Sequence, residues 1–357
     1  MKEIDKFKFY SHLRSRSSHQ PLIGQLELTY RCGLNCIHCY CKGSEDKEKE
    51  LATRDWKQIL DMLQKEGCVW LNLTGGDPLI RDDFLEIYSY AKAKCFIVSI
   101  FSSGYGFNCE TIEYLVKIPP HSIEITLNGI TQSTYESITQ TKGSFFAAMR
   151  NIRLLASKNL PLIIKTNCIK QNRHELVRIK HFTEELLGKP YNKHFFRYDH
   201  TIHPRLNGDK TPLSYRLSFE EIAETKKEDK DIWQEYHKAL KARTHSLPRE
   251  ADFLYQCNSW KRQFIIDPYG KLRLCTLSKK HNIDLKIVSF REGFYNILPG
   301  VLEERFKTPS KCRLCHLRSL CYNCPARAYL ETGNEELPVE YFCQFAEQTY
   351  RYEKNEL

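Results

Sequence analysis

Ten of the fifteen cysteines in this chain fall into two groups whose types and spacing suit iron. Cys32, Cys36 and Cys39 read C-x3-C-x2-C, and Cys257, Cys275, Cys312, Cys315, Cys321, Cys324 and Cys343 follow far downstream. A closed four-iron cluster takes four cysteine ligands, so three thiolates leave one iron free to bind something other than protein. Such an iron can do chemistry. The C-x2-C pairs of the second group suit tetrahedral zinc equally well, so structural zinc is the competing reading there.

These residues need a frame to hold them. From Pro21 onward, short β-rich runs at 22–30, 69–74, 96–101, 122–127, 161–169 and 194–202 alternate with helical periodicity, which predicts parallel βα units rather than a meander. Thr53 is the expected N-cap of a helix whose stripe is Trp56, Ile59, Leu60 and Leu63, and Phe145, Ala148, Met149 and Ile152 repeat that stripe later. No Gly-rich phosphate fingerprint follows the first strand, so a partial (β/α)6 barrel of the TIM type fits better than a dinucleotide-binding sheet. In such a barrel the chemistry sits at the strands' C-terminal ends. The three-cysteine group begins just past strand one and GGDP just past strand two, so both project onto one rim.

A sixth helix is expected at 218–242, and the charged segment KARTHSLPRE then marks a boundary. This divides the chain into an N-terminal extension (1–20), a barrel (21–245) and a small cysteine-rich domain (246–357). The last needs metal staples, because apolar burial alone holds a domain of this kind poorly. Of the remaining cysteines, Cys68, Cys95 and Cys168 are expected as small buried hydrophobes. Cys109 shows no ligand spacing, and Cys41 stands two residues from Cys39 as a neighbour of the cluster loop.

Composition fits an enzyme of a reducing compartment. The 357 residues are 41% hydrophobic, enough for a sizeable core. Fifteen cysteines in this length are far from the density of secreted disulfide scaffolds. With no signal-peptide core and no apolar run that could cross a bilayer, the expected location is the cytoplasm, away from membranes. The net charge of +10 is spread among acids, as in KKEDKD, which argues against a nucleic-acid partner.

The string CGLNCIHCY at 32–40 resembles the defining motif of the radical S-adenosylmethionine (SAM) superfamily, with His38 in its aromatic slot. That resemblance implies an open iron that chelates SAM and supplies the electron that cleaves it to a 5′-deoxyadenosyl radical. TGGDP looks like the family's GGEP motif, with Asp77 in place of Glu, which implies SAM contacts at Gly75, Gly76, Asp77 and Pro78. Ser102 of FSSG, Thr126 and Asn128 of TLNG, and Asn167 are further expected cofactor contacts on the same rim. In FRYDHTIHPRLNG, Arg197 and Asp199 lie nearest the strand end and are the expected catalytic or substrate groups.

The downstream cysteines resemble a SPASM domain, although Cys321 and Cys324 are separated by two residues where the family usually has three. By motif order Cys312, Cys315, Cys321 and Cys343 hold one auxiliary [4Fe-4S] cluster, and Cys257, Cys275 and Cys324 another with its fourth position open. The resemblance implies a maturase that cross-links, forms thioethers in, or epimerises a ribosomally made peptide or protein. It implies an external electron donor of flavodoxin or ferredoxin type. Sulfatase-maturing relatives carry Asp after the second SPASM cysteine, and Thr276 stands there instead. Too little chain precedes Pro21 for an N-terminal peptide-binding domain, so a separate leader-binding partner, or direct docking of the leader on the barrel, is expected. Two alternatives stand beside this reading: a radical SAM enzyme that trims a haem-type tetrapyrrole, and a non-catalytic zinc protein that binds nucleic acid.

Overall fold

A computed structural model of the chain describes residues 19–244, 252–257 and 261–354. The N-terminal extension, apart from His19 and Gln20, and the boundary segment from 245 to 250 lie outside these residues. Six parallel strands form the frame: β1 (Ile23–Thr29), β2 (Trp70–Gly75), β3 (Ile97–Ser102), β4 (Ser122–Thr126), β5 (Leu162–Asn167) and β6 (Phe196–Asp199). Each matches an expected run to within a few residues. The intervening helices include α1 (Thr53–Lys65), α2 (Phe84–Ala93), α3 (Cys109–Lys117), α4 (Gln132–Thr139), α5 (Ser144–Ser157) and α6 (Leu176–Leu187).

Strand alternation divides the residues between two faces. Leu26, Leu28, Leu71, Leu73, Val98, Ile100, Ile123, Ile125 and Ile164 are buried in the main hydrophobic core, which the helices cover. Trp56, Leu60 and Leu63 of α1 are fully buried, with Ile59 half-covered at the edge of the stripe. At about 2 kcal/mol or more per large apolar side chain, a single such helix contributes heavily to holding the barrel wall. The N-cap of α1 is Ala52 rather than Thr53, and Asp55 closes the turn by accepting from the Ala52 N–H.

Two further expectations are corrected. The run at 218–242 is two helices, α7 (Phe219–Lys227) and α8 (Lys230–Thr244), because the Asp229 carboxylate accepts from the N–H groups of Asp231 and Ile232 and starts a new helix. Asp229 is held there by the buried Lys180 ammonium, 2.9 Å away. Cys95 is exposed, in a turn with φ of 66°, whereas Cys68 and Cys168 are buried as expected.

The sheet continues beyond the barrel. β7 (Gln263–Ile266) pairs in parallel with β1, and β8 (Lys271–Arg273) and β9 (Asn282–Asp284) add antiparallel, giving nine strands in the order β6-β5-β4-β3-β2-β1-β7-β8-β9. A buried ion pair fastens this extension: Arg273 lies 2.6 Å from Glu27 of β1, with the two side chains 4% and 0% exposed. Arg273 also donates to the Tyr30 hydroxyl, which donates to Glu27 in turn. Past β9 the chain is mostly short segments, ending in α9 (Pro325–Thr332) and α10 (Glu340–Glu353).

Candidate active site

The three-cysteine loop is welded to the GGDP loop. Gly76 N–H donates to the Thr29 carbonyl at 2.7 Å, and Asp77 N–H to that of Arg31 at 3.0 Å. Both glycines are required by this contact. Gly75 has φ of 139°, and a Cβ there would lie 1.9 Å from the Thr29 oxygen, while one on Gly76 would lie 2.3 Å from that of Arg31. The close approach that demands glycine is therefore between the two loops themselves.

On its other flank the cysteine loop is tied to the end of α4: Asn35 N–H donates to Thr139 and Ile37 N–H to Ile138. So held, Cys32, Cys36 and Cys39 line one cavity of about 230 Å³. Burial pushes the Cys32 thiol up to about 12 and that of Cys36 well above its ordinary range, whereas a hydrogen bond with Cys41, 3.4 Å away, brings Cys39 down to about 7. A coordinated metal would deprotonate all three outright.

The expected rim residues gather here, in different roles. Asp77 is buried and accepts from the Ser102 hydroxyl, the Ser103 N–H and hydroxyl, and the Leu79 N–H, so its carboxylate organises the loops after β2 and β3. Ser102 gives its hydroxyl proton to Asp77 and accepts from Gly104 N–H. Pro78 is buried in the short turn that follows, and Thr126 ends β4 half-buried. Asn128 reaches the cysteines themselves, its amide nitrogen 3.9 Å from the Cys36 sulfur. Asn167 donates to Nε2 of His38 at 3.0 Å. Burial lowers His38 to about 4, so the ring is neutral, accepts at Nε2 and carries its proton on Nδ1.

Several supporting residues escape sequence reasoning. Glu175 accepts from Ile130 N–H, the Thr131 N–H and hydroxyl, and the Thr134 hydroxyl, shaping the loop after β4. The Asn172 amide bridges the Asn128 and Asn167 carbonyls at 2.9 Å each. Arg81 is buried against the Leu28 and Leu51 carbonyls and Asp83. Arg197 and Asp199 take the inward positions of β6 and are both exposed: Arg197 lies 3.3 Å from Glu124, and Asp199 accepts from Thr201 N–H in the turn after β6. Thr276 receives a hydrogen bond from Gln25 of β1, which brings the position after Cys275 to the barrel's inner face.

A second cavity, of about 190 Å³, is lined by Cys312, Cys315, Cys321, Cys324 and Cys343. Cys275 lies near Cys324 and Cys257, and burial pushes its thiol up to about 11, with those neighbours adding to the rise. Close by, Glu335 accepts from Tyr255, His281 and Lys280.

The rim fits a cluster carrying a polar ligand. Three buried thiols converge, and two buried polar atoms beside them, the His38 Nδ1 donor and the Asn128 Oδ1 acceptor, have no hydrogen-bond partner among the described residues.

A partial α/β barrel with such a rim, followed by a region with a second cysteine-lined cavity, suits an iron–sulfur enzyme. The profile of the radical SAM superfamily matches residues 26–183. Across 91% of this chain and 97% of the relative, the sequence is 24% identical to an AdoMet-dependent heme synthase of Methanosarcina barkeri. It is 28% identical to the sporulation killing factor maturation protein SkfB of Bacillus subtilis, over 45% of this chain but only 39% of SkfB. The fold matches SuiB of Streptococcus suis, solved with S-adenosylmethionine, at a TM-score of 0.68 and 13% identity, covering 96% of this chain and 84% of SuiB. The chain carries a radical SAM domain over residues 26–183. It is an enzyme whose cofactors are SAM, the [4Fe-4S] cluster that cleaves it, and auxiliary clusters. No helix among the described residues is long and apolar enough to cross a membrane.

Proposed function

We propose that this enzyme oxidatively modifies a ribosomally made peptide or protein, by cross-linking, thioether formation or epimerisation. The observation that carries the reading is the polar, charged inner face of the barrel. Gln25, Glu27, Asn72, Ser99, Glu124, Lys165 and Arg197 stand at the alternate strand positions opposite the apolar core, a wall suited to a polar chain. SuiB, whose fold this chain shares, has been solved bound to precursor peptide SuiA, and SkfB is a sporulation killing factor maturation protein.

When bound at Cys32, Cys36 and Cys39, the cluster and SAM supply a radical that removes a hydrogen atom from substrate. Gly75, Gly76, Pro78, Asp77 and Ser102 shape the cofactor's bed, and Thr126, Asn128, Asn167 and His38 face it. Arg197 holds substrate from inside the barrel, and Asp199 at the rim accepts the proton released on oxidation. Cys312, Cys315, Cys321 and Cys343 would hold one auxiliary cluster, and Cys257, Cys275 and Cys324 would hold the other. A flavodoxin or ferredoxin-type donor supplies the reducing electron, and a separate protein can present the leader peptide.

A second reading is trimming of a haem-type tetrapyrrole, favoured by alignment along nearly the whole heme synthase. Co-expression with small peptides encoded beside the gene, read by mass spectrometry, separates the two. A defined loss of hydrogens in one peptide supports maturation. Unchanged peptides, with turnover of iron coproporphyrin III by the same preparation, overturn it in favour of the tetrapyrrole.

A further inference from the structure

Inside the barrel, two cations share one acid. Alternation places Glu124 of β4, Lys165 of β5 and Arg197 of β6 on the inner face, and the register sets Lys165 directly beside Arg197. The Lys165 ammonium lies 3.2 Å from Glu124, and the Arg197 guanidinium 3.3 Å from the same carboxylate. Among the described residues, Glu124 is the one acid paired with either cation. The other flank of Lys165 is apolar: its ammonium sits 3.8 Å above the Phe101 ring. Glu124 is 7% exposed and Lys165 24%, so little water reaches the pair.

Three charges of this kind leave one positive charge over. Burial pulls the Lys165 ammonium below its ordinary range, Glu124 pulls it back up, and Arg197 adds to the lowering, so the first acid does not fully compensate the site. The height is telling. Asn167, the next inward residue of β5 and so about 7 Å further up the strand, is the one that touches His38 of the cysteine loop. An anion seated on Lys165 and Arg197 would hold its attached carbon chain beneath the rim where the radical forms.

Resting on the peptide-modifying reading for its choice of substrate, we infer that Lys165 and Arg197 form a carboxylate receptor, which positions an acid-bearing arm of the substrate for hydrogen abstraction. The arm is an Asp or Glu side chain or a C-terminal carboxylate in a peptide, and it would be a propionate in a tetrapyrrole. Glu124 holds the two cations side by side on neighbouring strands and keeps the empty site from carrying two bare charges.

The test compares acid with neutral isostere in two arms. In one, the neighbouring-gene peptide and its Asp→Asn and Glu→Gln versions are followed by mass spectrometry. In the other, ferric coproporphyrin III and its tetramethyl ester are titrated by their absorption spectra, with no turnover needed. Wild-type enzyme should prefer the acid at least tenfold in one arm. Lys165→Gln should reduce that ratio to within about twofold, while Lys165→Arg keeps it; a merely structural role would weaken acid and isostere alike. Preference in the porphyrin arm alone, lost in Lys165→Gln, upholds the receptor and removes the peptide reading. A modified peptide that tolerates amides at every acid upholds the peptide reading and overturns the receptor. Equal handling in both arms, or full discrimination retained by Lys165→Gln, also overturns it.

Discussion

The two cysteine regions are built on opposite principles. Cys32, Cys36 and Cys39 hang from a finished barrel: backbone bonds from Gly76, Asp77, Asn35 and Ile37 fix the loop on both sides, over a fully buried apolar core. Cys312, Cys315, Cys321 and Cys324 lie in turns and irregular chain between residues 311 and 324. What holds that stretch is a scatter of single polar contacts to a distant segment, such as Arg313 to Asp252 and Arg318 to the Phe253 carbonyl. A loop on a scaffold survives without its metal. A region of turns needs the metal to be a structure at all.

The sharpest way to break this contrast is Cys321→Ala. Iron should fall by about four atoms per chain, the content of one cubane, and limited proteolysis should open the chain beyond residue 300 while leaving the barrel intact. Equal protection of both regions in the variant would contradict it. Next comes the joint between them. Arg273→Met leaves the buried Glu27 carboxyl without its cationic partner, which costs about 3 to 5 kcal/mol. Chemical denaturation should show that loss, and a change below 1 kcal/mol would mean the pair is not what fastens β8 to β1.

Acid should act on the cysteine-rich region through Glu335. Burial raises the Glu335 carboxyl, but bonds from His281, Lys280 and Tyr255 outweigh that and hold it at about 2. A depressed folded value means that the stabilisation is complete above the ordinary carboxylate range. It is lost as pH falls from about 4.5 towards 2, by up to about 3 kcal/mol. Melting curves across that window should lose their slope in Glu335→Gln; an unchanged slope would assign it elsewhere. The smallest effect concerns the rim. Asp77→Asn puts an amide N–H where Asp77 now accepts from Ser102 and Ser103, at about 1 to 3 kcal/mol, and SAM affinity measured by calorimetry should drop with it. Full affinity would show that the two serine loops keep their shape unaided.

The frame and the cysteines were legible because their signals are local: alternating apolar strands, a stripe on α1, fixed spacings. The Asp229 break was missed since its signal is one acid in a polar helix, and its effect depends on Lys180 from another element. The parallel pairing of β7 with β1 joins residues more than two hundred apart, which no local pattern carries. Glu124 and Lys165 did leave a trace. Each is a lone charge in an otherwise apolar strand, SIEIT and LIIKTN, and such a charge must face a lumen or a partner. Asp77 and Ser102 could be placed on the rim from sequence, but that their polar atoms bond to each other is a matter of three-dimensional distance.

The central claim is that Cys32, Cys36 and Cys39 present an iron that cleaves SAM. Anaerobically reconstituted enzyme, reduced with dithionite and given SAM, should release 5′-deoxyadenosine, and the variant with all three cysteines changed to alanine should release none above background. Equal release from both proteins, or none from fully iron-loaded wild type, would contradict the account.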